Sequence, residues 1–248
     1  ALATKQEGWG VGRLPDEATL LFYLEKALLS QKKSPLNNKR VLITGGPTRE
    51  AIDPIRYISN PSTGKMGHAL AETAAKQGAV GTYISGPSYL SDPCGCTIQH
   101  VVSAEEMKSA VLKLYPKQDI VVMAAAVEDI RPGSVSGNKI KKNDIPEILP
   151  LKRTEDILHT LGQQKKDQIL IGFSVEEEDE IDRSVKKMKK KNLDRIVVNN
   201  PREQGSAFAG DTNRVTIIDK ARKTISLPLL SKEETAEEIW HHIFKNTK

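Results

Sequence analysis

An α/β fold is predicted for this chain: a Rossmann-like, mostly parallel sheet with helices on both faces, plus a C-terminal β-hairpin. Three observations predict it. From Arg40 onward, short apolar runs of strand length alternate with segments of helical spacing. Glycine, proline and helix-capping residues stand at the changeovers, as in Gly45–Gly46–Pro47, Gly86–Pro87 and Ser103. Near the end, two strand-like runs flank a polar turn, Lys220–Ala221–Arg222, which breaks the alternation and reads as a hairpin. Strands alternating with helices imply a parallel sheet covered on both sides.

The elements follow in order. Gly8, Gly10, Gly12 and Pro15 punctuate an exposed opening. Asp16 caps a helix over Ala18–Leu29, with Leu20, Leu21, Leu24, Ala27 and Leu28 as its apolar face. Gln31–Asn38 is polar, contains Pro35 and reads as a linker. The organisation is therefore an N-terminal tail and linker, 1–38, and one domain, 39–248. Within the domain, strands are expected at Val41–Thr44, Val80–Ser85, Ile120–Ala124, Ile169–Phe173 and Arg195–Val198. Helices are expected at Gly64–Gln77, ended by Gly78, and from the Ser103 cap to Leu114, with Glu106 completing a capping box. Three more are expected: from a Thr154 cap to Leu161, over Glu178–Lys191, and over Lys232–Phe244 with Trp240 in the core. The hairpin pairs Val215–Asp219 with Lys223–Leu227.

Composition narrows the function. The chain has 248 residues, 38% hydrophobic and 28% charged, which suits a globular protein with one substantial core. No apolar run approaches membrane-spanning length, and the segment after Ala1 lacks a secretory pattern, so no membrane partner is expected. The net charge of +5 comes largely from two clusters, Lys139–Lys142 and Lys186–Lys191. Aromatics are 4%, too few for a base-stacking platform, so a small phosphorylated ligand is expected rather than nucleic acid. Cys94 and Cys96, one residue apart with no second metal-spaced pair, read as two reduced thiols in a cytoplasmic protein. The five histidines form no pattern and read as structural.

In an open α/β sheet, ligands bind beyond the carboxyl ends of strands. After the first strand comes Ile43–Gly67, whose segment Ser62–Thr63–Gly64–Lys65–Met66–Gly67 opens a helix. Exposed amides there make an anion site, or the glycines merely allow close packing; Arg49 and Arg56 tilt the balance toward an anion. After the third strand, Ala124–Pro132 offers small residues and Asp129, which could hold Mg²⁺ or a ribose, or be an exposed turn carboxylate. Ser136–Asp144 reads as a loop that can close Lys139, Lys141 and Lys142 over a polyphosphate, or as a solvated charged loop. Lys187 and Lys191 share a helix face, where they could hold an anion or form a solvated basic face balanced by the acidic turn Glu176–Glu180, and Phe173 is either a nucleobase platform or a core aromatic. A nicotinamide-dependent oxidoreductase is the competing reading. Against it stand the missing G-x-G-x-x-G, about eighteen positions separating Gly46 from Gly64, and no acid after the second strand. No Tyr is followed four residues later by Lys. A non-catalytic nucleotide-binding module is a third possibility.

Together these segments resemble the phosphopantothenoylcysteine synthetase family, the second half of the bacterial bifunctional coenzyme A biosynthesis protein. The resemblance is carried by ITGGPTREAIDPIRYISNPSTGKMG, AAAVEDIRP, NKIKK, GFSVE and KKNLDRIVVNN, from about Arg40 to the C-terminus. It implies a CTP-dependent acid–amine ligase joining 4′-phosphopantothenate to L-cysteine through an acyl-cytidylate, with Mg²⁺, in a homodimer. By position, Asn60 and Lys139 are implied as catalytic, and Gly45, Asp129, Lys139, Phe173, Lys187 and Lys191 as nucleotide-binding. Arg56 and Ser62–Met66 (Ser62, Thr63, Gly64, Lys65, Met66) are implied to bind substrate or phosphate, and Asp129 is the candidate metal ligand. The sequence departs from the family at Ser174–Val175–Glu176, where two alanines usually precede the glutamate, and at Asn199–Asn200, where Asn–Asp is usual. Leu2–Ala3–Thr4 and Gly12–Arg13–Leu14–Pro15 resemble the flap ending a flavin-dependent decarboxylase, with Thr4 in place of its cysteine. That implies an excised or stand-alone synthetase half that does not itself decarboxylate, and a fused or associated decarboxylase as partner.

Overall fold

A computed structural model of the chain describes residues 14–30, 33–176, 180–199 and 210–245. The motifs at Leu2–Thr4 and Gly12–Arg13, the early glycines, Glu178 and Asn200 lie outside the described residues.

The strands, in chain order, are β1 (Arg40–Gly45), β2 (Arg49–Ala51), β3 (Tyr57–Ser59), β4 (Val80–Ser85), β5 (Cys96–His100), β6 (Ile120–Met123) and β7 (Ile130–Pro132). They continue as β8 (Leu151–Arg153), β9 (Ile169–Val175), β10 (Arg195–Asn199), β11 (Thr212–Asn213), β12 (Val215–Asp219), β13 (Thr224–Ser226) and β14 (Leu230–Ser231). The helices are α1 (Glu17–Ser30), α2 (Lys65–Lys76), α3 (Ala104–Leu114), α4 (Ile157–Gln164), α5 (Glu180–Lys190) and α6 (Lys232–Phe244).

The main sheet runs β13-β12-β10-β9-β6-β1-β4-β5. All pairs from β10 to β5 are parallel, whereas β12 and β13 are antiparallel edge strands, so the expected hairpin extends the sheet rather than standing apart from it. The chain leaves β1 toward β4 and β5 on one side and toward β6, β9 and β10 on the other. β1 and β6 therefore flank the point where strand order reverses, where such sheets bind ligands.

Successive residues of a strand face opposite sides, and here both sides are covered. Val41 and Ile43 join one fully apolar cluster with Leu70, Ile239 and Trp240, under α2 and α6. Leu42 joins another with Ile84, Met107, Val121, Leu170 and Val185, under α3, α4 and α5. The Trp240 indole N–H donates to the Leu70 carbonyl at 3.0 Å, so the last helix is locked to α2 by a satisfied polar contact as well as by packing.

Several expectations change. The apolar face assigned to α1 is not its buried face: Leu21, Leu24 and Leu28 are exposed, and Phe22 alone of that helix is buried. Phe22 packs beside Gly95, where a Cβ would lie 2.5 Å from its ring, so one aromatic anchor rather than a leucine stripe attaches the helix. The segment read as a linker is anchored, with Leu36 fully buried and the Asn38 amide donating to Gly78. Thr154 does not cap α4. Its hydroxyl donates to the Glu128 carbonyl, and Asp156 caps instead by accepting from the His159 amide at 2.9 Å. Ser103 caps α3 as expected, but the Glu106 carboxylate accepts from Val102 rather than closing the box on Ser103. β5, with the pattern Cys-Thr-Ile-Gln-His, was not expected; an exposed edge strand needs no apolar run. Two small antiparallel pairs, β2–β3 and β7–β8, stand off the carboxyl edge of the sheet.

One contact fixes where α2 begins. A Cβ on Gly67 would lie 2.8 Å from the Gly45 Cα and 3.0 Å from the Thr44 carbonyl oxygen, both backbone atoms that cannot swing away. Gly67→Ala is expected to destabilise by about 1–3 kcal/mol, the usual cost of overpacking. Gly137→Ala, where a Cβ meets nothing within 4 Å, should change stability by less than about 0.5 kcal/mol. Paired thermal melts check both.

Candidate ligand cleft at the switch point

The cleft is built from loops at the carboxyl ends of four parallel strands. After β1 the backbone turns through Gly46 at φ 78°. It pairs with the loop after β6: Ala126 donates to the Gly46 carbonyl at 2.9 Å, and Thr48 donates to the Ala126 carbonyl at 3.2 Å. These bonds bring Ala124–Ala126 beside the start of α2. Gly64 occupies the N-cap of α2 with φ 82° and no side-chain cap, so the first amides of the helix are not closed by a capping side chain. A Cβ on Gly64 would sit 3.1 Å from the Gly46 nitrogen, so both the sign of φ and the space call for glycine.

An open cleft of about 680 Å³ results. The Ser62–Gly67 turn and Ala124–Ala126 form one side. Phe173–Val175, Asn199, Asn213 and Lys232 form the other. Phe173 is partly buried against the core and also lines the cleft. The cleft is open to solvent, and its lining combines apolar walls with a few polar groups, as ligand sites do.

Charge around the cleft is neutralised in pairs. Lys187 donates to the Ser174 hydroxyl at 3.0 Å and pairs with Glu176 at 2.5 Å. Burial alone would raise the Glu176 carboxyl, but Lys187 and the Ser174 hydroxyl hold it below its ordinary value. Lys65 pairs with Asp211 at 2.5 Å. Lys232 is only 6% exposed and donates to the Gly210 carbonyl; burial, and then the nearby Lys65, push its pKa down. Below the cleft, Glu128 is buried and its carboxyl is raised by that burial and by Asp129 and Glu50.

The residues singled out in the sequence divide into three groups. Ser62, Thr63, Gly64, Lys65, Met66 and Phe173 line the cleft. Gly45 lies directly beneath the α2 turn, where a Cβ would meet the Tyr83 hydroxyl at 2.1 Å, so its role is clearance. Asn60 sits at the rim, its side-chain amide 3.4 Å from the Ala126 carbonyl, and Lys187 reaches the rim through Ser174. Lys191 does not line the cleft; it pairs at 3.0 Å with Asp156, the cap of α4. Asp129 is exposed and outside the lining, and its carbonyl accepts from Thr154. Arg56 donates through Nε and Nη2 to one Asp53 carboxylate oxygen, at 3.0 and 2.5 Å, and to the Ile140 carbonyl at 2.8 Å. Its work is to hold the loop carrying Lys139, which is exposed and outside the lining. Asn213 and Lys232 were not singled out. The one available signal was a lysine in the first turn of a helix, where the macrodipole disfavours a cation.

Among the described residues no group of three or more His, Cys, Asp or Glu side chains is placed to hold a metal ion. Nor is any helix there long and apolar enough to cross a membrane.

Fold and cleft define a class, a Rossmann-like domain with a glycine-bounded turn and an open cleft at its switch point. The comparisons with known proteins name it further. Residues 36–247 match the model of the DNA/pantothenate metabolism flavoprotein C-terminal domain, and the chain belongs to that family. The coenzyme A biosynthesis bifunctional protein CoaBC of Bacillus subtilis is 46% identical over 235 residues, 94% of this chain and 58% of its own length. A cysteine/cysteine sulfinic acid decarboxylase from an unknown prokaryotic organism is 42% identical over 93% of this chain and 65% of its own length. The chain thus spans less than two thirds of these relatives. A crystal structure of the C-terminal domain of CoaBC superposes with a TM-score of 0.71 at 45% identity, covering 84% of this chain and 96% of that one.

The Asp53–Arg56–Ile140 lock has a pH consequence. The Arg56 guanidinium holds the Asp53 carboxyl well below the usual carboxylate range, with Ile55, Arg56 and Ile140 amides adding to it. A carboxyl depressed in the folded state stabilises that state fully above its unfolded pKa, and less as pH falls through the carboxylate range toward the folded value. The protection factor of the Ile140 amide, which donates to Asp53 at 3.1 Å, should therefore fall on acidification once the intrinsic pH dependence of exchange is divided out. In Asp53→Asn it should already be low near neutral pH.

Proposed function

We propose that this chain is a phosphopantothenate–cysteine ligase acting in coenzyme A biosynthesis. The carboxylate of 4′-phosphopantothenate attacks the α-phosphorus of CTP, forming an acyl-cytidylate and releasing pyrophosphate. The amine of L-cysteine then attacks the acyl carbon and releases CMP, with the amine proton lost to solvent. The observation that carries this reading is the convergence of the Ser62–Gly67 turn, Phe173 and Lys232 on one cleft at the strand-order reversal. Membership of the family, and a relative of 46% identity named for coenzyme A biosynthesis, support the same chemistry.

The first step brings together two anions, so its barrier is largely electrostatic. The site answers with fixed donors: the α2 amides, Lys65 and Lys232 on the phosphates, and Lys187 beside Ser174. Phe173 gives a nucleobase an apolar face. Because Phe173 and the Ser62–Gly67 turn share one cleft, we infer that the turn serves the nucleotide's phosphates as readily as the second substrate's. Lys139, on the loop held by Asp53 and Arg56, closes from outside. Asn60, on the rim against Ala126, is positioned to hold the acyl intermediate for cysteine. Mg²⁺ carried by the triphosphate would supply charge neutralisation, and Asp129 is the protein carboxylate we assign to it.

We further infer a cytoplasmic homodimer. Ile55, Tyr57, Ile148 and Leu151, on or near the two small hairpins, are exposed apolar groups suited to a second copy. The longer bifunctional relatives point to a flavin-dependent decarboxylase as fused or associated partner.

Pyrophosphate release measured with each nucleotide, with and without each co-substrate, is the deciding assay. Wild-type protein should release pyrophosphate only with CTP and 4′-phosphopantothenate together. Asn60→Ala should keep that partial reaction within about threefold while ligated product falls about a hundredfold or more, the scale of losing one positioned donor. No pyrophosphate with any nucleoside triphosphate would refute the ligase assignment.

A further inference from the structure

The C-terminal segment supplies the far wall of the cleft, and its chemistry is unusual for its position. β11 pairs with β14, Thr212 against Ser231 and Asn213 against Leu230, which sets Asn213 and Lys232 side by side on the lining. Lys232 is the first residue of α6, behind a Ser231 cap whose hydroxyl accepts from Glu234 and whose amide donates back to Glu234. A cation at that end opposes the helix dipole, and the residue is only 6% exposed. Thr235, Ala236 and Ile239 also bury the helix, and the Lys232 ammonium donates to the Gly210 carbonyl. Asn213 is 5% exposed, and its side-chain oxygen has no hydrogen-bond partner among the described residues. Its amide nitrogen reaches only the Met66 sulfur, at 3.7 Å. A buried acceptor left without a donor marks a place where something else donates. Asp211 lies beside both lysines: it pairs with Lys65, and its carbonyl accepts from the Lys232 amide. It is the exposed carboxylate a phosphate must displace from Lys65.

We propose that Lys232 and Asn213 form a second recognition wall for a phosphorylated ligand in this cleft. Lys232 meets a phosphate opposite the Ser62–Gly67 turn, and the Asn213 oxygen accepts an N–H or O–H of the same molecule. Asp211 acts as the resting counter-ion that holds Lys65 until the phosphate arrives. The wall rests on the ligase reading for its substrates, but not for its charge chemistry, so the two can fail separately.

The first arm uses inorganic tripolyphosphate, titrated calorimetrically into wild type, Lys232→Met, Lys232→Arg and Asp211→Asn at low salt. Lys232→Met should weaken binding about tenfold or more, as expected for one charge-assisted contact, and Lys232→Arg should recover most of it. Asp211→Asn, at an exposed site, should tighten binding about threefold by freeing Lys65, an effect that fades as salt rises. The second arm measures steady-state constants for ligation. In Lys232→Met, a rise in KM for CTP assigns the contact to the nucleotide, and a rise for 4′-phosphopantothenate assigns it to that phosphate; KM for cysteine should stay put. Asn213→Ala should raise the same KM. Unchanged tripolyphosphate affinity in Lys232→Met of retained melting temperature overturns the proposal. If that variant does not fold, unchanged or weakened affinity in Asp211→Asn overturns it. Tripolyphosphate effects as expected in a protein that never releases pyrophosphate would leave the wall standing and remove the ligase.

Discussion

The close crossing of two backbones, the end of β1 and the first turn of α2, is the constraint on which the rest of this molecule depends. Gly45, Gly46, Gly64 and Gly67 meet there with no side chain between them. Any Cβ on Gly67 would strike backbone, and Gly64 needs its positive φ. Because the crossing is tight, α2 starts beside the strand-order reversal, and its first turn lines the same cleft as the loop after β6. The cleft is thus a consequence of clearance first and of chemistry second. The same crossing orders the core, since α2 carries Leu70, whose carbonyl receives Trp240 from the last helix.

Around that cleft the positive side chains do not wait bare. Lys187 rests on Glu176 and Lys65 on Asp211, while Lys232 leans on a backbone carbonyl. The Lys65–Asp211 pair, with its carboxylate 88% exposed, is worth only about 0–1 kcal/mol, whereas Glu176 is buried beside Lys187. Holding lysines this way keeps them near their working positions, and a preorganised donor loses less on engagement. It also explains why several lysines can gather near one pocket without a large like-charge penalty.

The hairpins at the carboxyl edge add a different kind of control. Asp53 and Arg56 do not touch the cleft lining. They tie the β2–β3 pair to the loop beyond β7 through Ile140, so the position of Lys139 is set by an ion pair some distance from the chemistry. This arrangement gives the loop a defined closed-off base and a free, exposed lysine-bearing tip.

Much of this was legible in the amino-acid sequence, because the governing terms are local. Apolar runs buried on both faces, capping residues such as Ser103, and the Gly/Pro punctuation at strand ends determine the strands, most helices and the ligand turn after β1. Sequence could not separate the two meanings of a pattern whose partner lies far away. The leucines of α1 have helical spacing, yet the face that packs is chosen by Phe22 against Gly95. Arg56 reads as an anion binder until Asp53 and the Ile140 carbonyl are seen to occupy it. Asp156 rather than Thr154 caps α4, because the Glu128 carbonyl, 26 residues earlier, draws the threonine hydroxyl away. Asn213 and Lys232 became visible as a cleft wall only once β11 and β14 had paired across the intervening chain. Side chains close in sequence reveal themselves by spacing; groups brought together by strand pairing over long separations are decided by the tertiary fold, since only there do their distances exist.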